Sequence, residues 1–164
     1  MTPGEFPIWS GRIADGLQAR AAAAAANAMA IEFQRELVGV TLRKSSHKAG
    51  TDTPSKPGEP PALVTGTMRR SARIIPAVSA GPRAVAAVRV GVIYARIQEK
   101  GGVVVVKRAR ILANKRTGQF FGPRVTIPRR PYMQPTRDLL LASGRFRARA
   151  NQAIAAIARE AASG

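Results

Sequence analysis

Residues 10–42 constrain the fold more than any other part of this chain. Ile13, Leu17, Ala21, Ala24, Ala28 and Ile31 recur at steps of three and four, with Met29, Phe33 and Leu37 in an adjoining row. Alanine is the best helix former, and the run from Ala21 to Ala26 supports the same reading. The spacing predicts one helix from Ser10, which can cap it, to Leu42. Such a helix exceeds the usual length of roughly 8–20 residues. Its small side chains let another helix approach closely, and its length suits packing against a partner as well as its own sheet.

Residues 1–9, MTPGEFPIW, read as an extended arm whose Phe6, Ile8 and Trp9 pack on this domain or on a neighbour. Residues 43–61 form a polar, Pro/Gly-rich loop too long for a plain connection, and so flexible or functional. Thr65 can cap a short helix from Gly66 to Arg73, turning Met68 inward and leaving Arg69 and Arg70 free. Residues 72–79 and 84–93 make a hairpin around a Gly-Pro turn; Val88, Val90 and Val92 alternate with Arg89 and Gly91. Pro76 places the first of these strands at an edge or a bulge. Residues 94–102 give a helical turn or two ending at Gly101. A second hairpin follows, 103–112 with 119–127, its tip basic at Lys115 and Arg116.

Pro128, Pro131 and Pro135 frame a stiff loop, and helix resumes at Thr136–Ala142, interrupted at Ser143–Gly144. Phe146, Ala150, Ile154, Ile157 and Ala161 then keep helical spacing. Helices at both ends with antiparallel strands between them define an α+β class, two hairpins packed by the long N-terminal helix and the C-terminal helix. A length of 164 residues suggests one domain over 1–164. Aromatics are 5% of the chain, so the core is built from small side chains.

Charge narrows the partners. The chain carries 27 Lys+Arg against 9 Asp+Glu, a net +18. Beyond Glu99 the only acids are Asp138 and Glu160, against fourteen bases from Lys100 to Arg159. Such a field attracts polyanions such as nucleic acid, acidic protein faces or anionic membranes, and a solvated surface is the plainer explanation. No run approaches the ~18 apolar residues of a membrane span. The N-terminus lacks the basic region of a signal peptide, so an intracellular protein is the default.

The residues offer little for catalysis. The chain has no cysteine, which excludes disulfides and thiolate metal sites, and one histidine. His47 lies between Lys44 and Lys48, where a solvated side chain is the expectation. The acids are scattered, and no Walker lysine or GxGxxG appears. No catalytic, cofactor or metal residues are assigned. Phe120 and Phe121 could stack on bases, or fill a core or an interface. Lys107, Arg108, Arg110, Lys115 and Arg116 could touch phosphates on a β-ribbon without reading sequence.

Three local patterns occur in order: PGEPPALVTGTMRRSARI at 57–74, VGVIYARIQEKGG at 90–102 and RRPYMQPT at 129–136. Together they resemble the neck, or tail-completion, family of long-tailed phages, whose members are also described as minor tail components. The positions that carry the resemblance are Pro57, Gly58, Thr65, Gly66, Met68, Arg70, Ser71, Tyr94, Ala95, Glu99, Gly101, Gly102, Arg130, Pro131 and Tyr132. The set spans about half the chain. The chain departs from the family by inserting 103–127 before Arg-Pro, and by Lys100 where a hydrophobic residue is usual.

The resemblance implies a structural virion protein at the head–tail junction, with no reaction. It would form a homo-oligomeric ring, sixfold in stoichiometry, between connector and tail proteins, with double-stranded DNA in the lumen. A tail-terminator ring is the near alternative, and a nonspecific nucleic-acid-binding protein is the alternative of another class. Arg69, Arg70, Lys115, Arg116, Arg145, Arg147 and Arg149 are the candidate contacts with DNA or a neighbouring ring, together with Lys107, Arg108 and Arg110.

Overall fold

Of the extended arm expected over residues 1–9, residues 6–9 open a helix, with proline at position 7, and residues 1–5 lie outside the described residues. In the computed structural model, which describes residues 6–47, 51, 53–80, 83–107, 111–113 and 118–163, α1 runs Phe6–Gly39. Proline is tolerated in a first turn because its missing N–H would have no intrahelical partner there. Ser10 therefore lies inside the helix and does not cap it. At the other end Gly39 closes α1, and Thr41–Arg43 forms a single 3₁₀ turn in place of helix as far as Leu42.

The remaining elements are α2 (Thr67–Arg70), β1 (Ala72–Ala80), β2 (Arg83–Val90), α3 (Ala95–Lys100), β3 (Gly102–Val105), β4 (Leu112–Ala113), β5 (Phe120–Phe121), β6 (Arg124–Ile127), α4 (Met133–Ala142) and α5 (Arg145–Ser163). The α+β class expected from the sequence holds. The hairpins are separate two-stranded sheets, β1–β2 in the first, β3–β6 and β4–β5 in the second. In β3–β6 Val103 faces Thr126 and Val105 faces Arg124; in β4–β5 Leu112 faces Phe121. The second hairpin breaks beyond the bond from Val106 N–H to Pro123 C=O. Pro123 itself has no N–H to offer a ladder. Pro135, expected in a loop, falls in the first turn of α4.

The chain clusters into two compact units. The first comprises Met1–Arg35, Arg73–Arg89 and Arg137–Gly164. Within it α1 and α5 run antiparallel: Glu32 meets Arg145 and Arg149, Arg20 pairs with Glu160 at 2.8 Å, and Phe33 stacks on Phe146 with ring centroids 6.4 Å apart. Ala25, Ala26 and Ala30 are buried, so the alanines supply core as well as helicity. β1 is fixed to α1 by the Ala77 N–H, which donates to Asn27 Oδ1 at 2.8 Å. On β2 exposure alternates strictly, Ala84, Ala86 and Val88 being half-buried between exposed Arg83, Val85, Ala87 and Arg89.

The second unit comprises Glu36–Ala72 and Val90–Thr136. Leu37, Leu42, Met68, Ala72 and Tyr132 form its buried core. Thr136 is 1% exposed; its hydroxyl donates to Tyr132 C=O at 2.7 Å and lies 2.8 Å from the Thr41 hydroxyl, which can donate to it. The loop after the 3₁₀ turn is cross-braced: Ser46 donates to Glu59 Oε2 through its hydroxyl at 2.6 Å and its N–H at 3.1 Å. These two bonds hold the Glu59 carboxyl below the usual carboxylate range.

Candidate docking site

Glycine, and not Thr65, starts the short helix α2. Gly66 takes φ +70°, left-handed backbone that favours glycine, and occupies the N-cap position. The Thr65 hydroxyl lies 3.4 Å from the Thr67 N–H, which is too long for a good cap. Met68 turns inward as expected and is 8% exposed. Arg70 is not free: its Nη1 donates to Thr65 C=O at 2.8 Å. Of the two arginines only Arg69, half-buried, has a side chain with no hydrogen-bond or ion-pair partner among the described residues.

The second unit brings together all three motif segments. Gly58 N–H donates to Arg129 C=O at 2.8 Å, Gly91 N–H to Ser71 C=O at 3.3 Å and Arg130 N–H to Gln98 C=O at 2.7 Å. Arg130 Nε reaches Ser55 C=O at 2.9 Å. Tyr132 Oη donates to Ala95 C=O at 3.2 Å. Burial, with the nearby Glu99 carboxylate and Tyr94, pushes the Tyr132 phenol up to about 12.

Glu99 holds the third segment to the second. Its carboxylate accepts the N–H groups of Tyr132 at 2.7 Å, Met133 at 3.0 Å and Gln134 at 3.0 Å. Those donors open α4 and have no intrahelical acceptors, so an anion there also meets the positive end of the helix dipole. Glu99→Gln retains an acceptor oxygen but removes the charge. It is expected to cost about 1–2 kcal/mol, read by denaturant titration.

These contacts frame a cavity of about 290 Å³. Leu42, Pro54, Pro61, Leu63, Val64 and Met68 give it apolar walls, and Arg69, Tyr94 and Arg130 bring polar groups. Two buried polar atoms on this lining, Ser55 Oγ and Gln98 Oε1, have no hydrogen-bond partner. Arg130 is 8% exposed and has no carboxylate within ion-pairing distance among the described residues.

The other candidate residues lie elsewhere. Lys107 is exposed after β3; Arg108, Arg110, Lys115 and Arg116 lie outside the described residues. Arg147 is exposed on α5, whereas Arg145 and Arg149 are engaged by Glu32 in the first unit. Phe120 is 72% exposed and is not a core residue. His47, expected to be solvated, is half-buried with Nε2 2.9 Å from the Thr51 hydroxyl. Ser55, Gln98 and Glu32 were not singled out in the sequence. Only Glu32 carried a signal there, as an acid one turn before Glu36 within the apolar rows of the long helix.

Among the described residues no group of three His, Asp or Glu could hold a metal ion, and no helix is long and apolar enough to cross a membrane. No protein-family model, curated protein or solved structure matches the chain.

Proposed function

We propose that this chain is a structural subunit of the head–tail junction of a long-tailed phage, assembling as a ring through which DNA passes. The observation that carries the reading is the convergence of the three motif segments in one unit. Gly58 bonds to Arg129, Gln98 to Arg130, and Glu99 to the start of α4. Residues scattered over 57–136 thus act as one structural feature, as a family signature should.

Two further features support it. The net charge of +18 would repel itself around a ring unless acidic neighbours or DNA offset it. The two-stranded sheets also leave strand edges for pairing with a neighbour. A tail-terminator ring would draw on the same features at the same junction.

The test is electron microscopy of particles made without this protein. Separate, DNA-filled heads and free tails are the expected result, restored to joined particles when the protein is supplied in trans. Normal joined particles in its absence would overturn the reading.

A further inference from the structure

We infer that the cavity beneath residues 57–70 is a receptor for a carboxylate carried on an extended segment of a partner protein. It rests on reading the chain as a ring subunit that docks with neighbouring proteins, and it names what docks.

The lining states the ligand's chemistry. Arg130 is a guanidinium more than nine-tenths buried, bonded through Nε to a neutral carbonyl, with no counter-ion among the described residues. A buried charge is costly unless paired, so an anion entering here is favoured by more than surface attraction. Arg69, on the same lining and without a partner among the described residues, supplies a second guanidinium. Ser55 is 3% exposed, and its unpartnered hydroxyl can donate to the anion. Gln98 Oε1 is a buried acceptor and requires an N–H.

Carboxylate, N–H donor and apolar body occur together in a peptide. The alternative polyanion, duplex DNA, fits poorly. Its phosphodiesters bring no donors for Gln98. Its phosphates lie on a convex rod that cannot enter about 290 Å³ lined by Leu42, Leu63 and Met68. An acidic partner also complements a chain of net charge +18. The carboxylate could belong to a side chain or to a chain end.

Fluorescence anisotropy on the full chain tests this with three labelled pentapeptides. The first is capped at both ends and carries glutamate between valine and leucine. The second replaces glutamate with glutamine. The third is the glutamine peptide with a free C-terminal carboxylate. The first or the third should bind at least about tenfold tighter than the second, and which of them does identifies the source of the carboxylate. Arg69→Gln should weaken that binding about tenfold.

Ser55→Ala and Gln98→Met keep the test sharp should Arg130→Gln fail to fold. Each removes an orphaned polar atom, so each should raise Tm by about 2–4 °C while weakening the peptide several-fold. Equal binding of the glutamate and both glutamine peptides, or none up to about 1 mM, would overturn the proposal. So would a fall in Tm for both Ser55→Ala and Gln98→Met, or duplex DNA binding that depends on Arg69 in place of peptide binding. The assay needs no particles. Failed peptide binding beside unjoined heads and tails would remove the cavity proposal and leave the junction reading standing.

Discussion

Gly101→Ala is expected to destabilise the protein by about 3–5 kcal/mol, the largest effect of adding a Cβ among the described glycines. Two costs add. Gly101 has φ +70° and ψ −177°, a backbone region that is essentially glycine-only and costs other residues about 1–3 kcal/mol. A Cβ there would also stand 3.0 Å from Arg129 N, 3.0 Å from Arg129 Cγ and 3.1 Å from Ile127 O. Two of these atoms are backbone, so relief requires β6 and the segment after it to move. That movement pulls Arg130 off Gln98 and displaces the α4 amides from Glu99, the bonds that join the motif segments. Urea titration of Gly101→Ala beside Gly118→Ala makes the comparison. Gly118 also has positive φ, at +67°, but among the described residues nothing lies within 4 Å of its added Cβ. Gly118→Ala should therefore show the conformational cost alone, about 1–2 kcal/mol.

Glu32→Ala is expected to cost about 3 kcal/mol, in the first unit. The Glu32 side chain is 5% exposed and receives Arg145 Nε on one oxygen at 2.9 Å and Arg149 Nε on the other at 3.0 Å. Burial by itself would raise its pKa. The hydrogen bonds and charges of the two arginines outweigh burial and hold the carboxyl below its usual value of 4.5. The arginines are 40% and 43% exposed, so solvent screens them and the cost falls toward the lower end for a broken buried pair.

A lowered folded-state pKa fixes the sign of the pH effect. The contribution of Glu32 is fully present above about pH 4.5 and is lost as pH falls through the folded-state value. Chemical denaturation from pH 7 to pH 3 should therefore show a shallower acid decline in Glu32→Gln than in the parent. Parallel pH profiles would show that Glu32 is not held charged by its arginines.

The regular elements were legible because their signals are local. Period three-to-four spacing and alanine gave α1, and strict alternation gave β2. Gly101 and Gly144, both at positive φ, stop α3 and α4 where glycine should. The errors came from ends. Pro7 was expected in an extended arm and Pro135 in a loop, and each stands in the first turn of a helix. Thr65 looked like a cap, and the glycine after it fills that position.

The site was legible only as a pattern. Glu99, Arg130 and Tyr132 stood in the motifs, but the bonds among them span more than thirty residues. Ser55 and Gln98 matter because the folded chain leaves them without partners, and no spacing rule encodes that. Charge misled in a physical way: Arg145 and Arg149 counted as free cations in the composition, while one internal carboxylate engages both.

The interleaving of the two units bears on the order in which a ribosome releases them. Everything in the second unit has been synthesised by Thr136, whereas Glu32 waits for Arg145 and Arg149. Until α5 emerges, Glu32 has neither arginine and Phe33 has no Phe146 to stack on, so this stretch of α1 is incomplete in the nascent chain. The separation between Glu32 and its arginines makes closure of the first unit a late, long-range event. Folding thus has a built-in sequence: the unit holding the cavity can mature first, and the α1–α5 clamp is closed last.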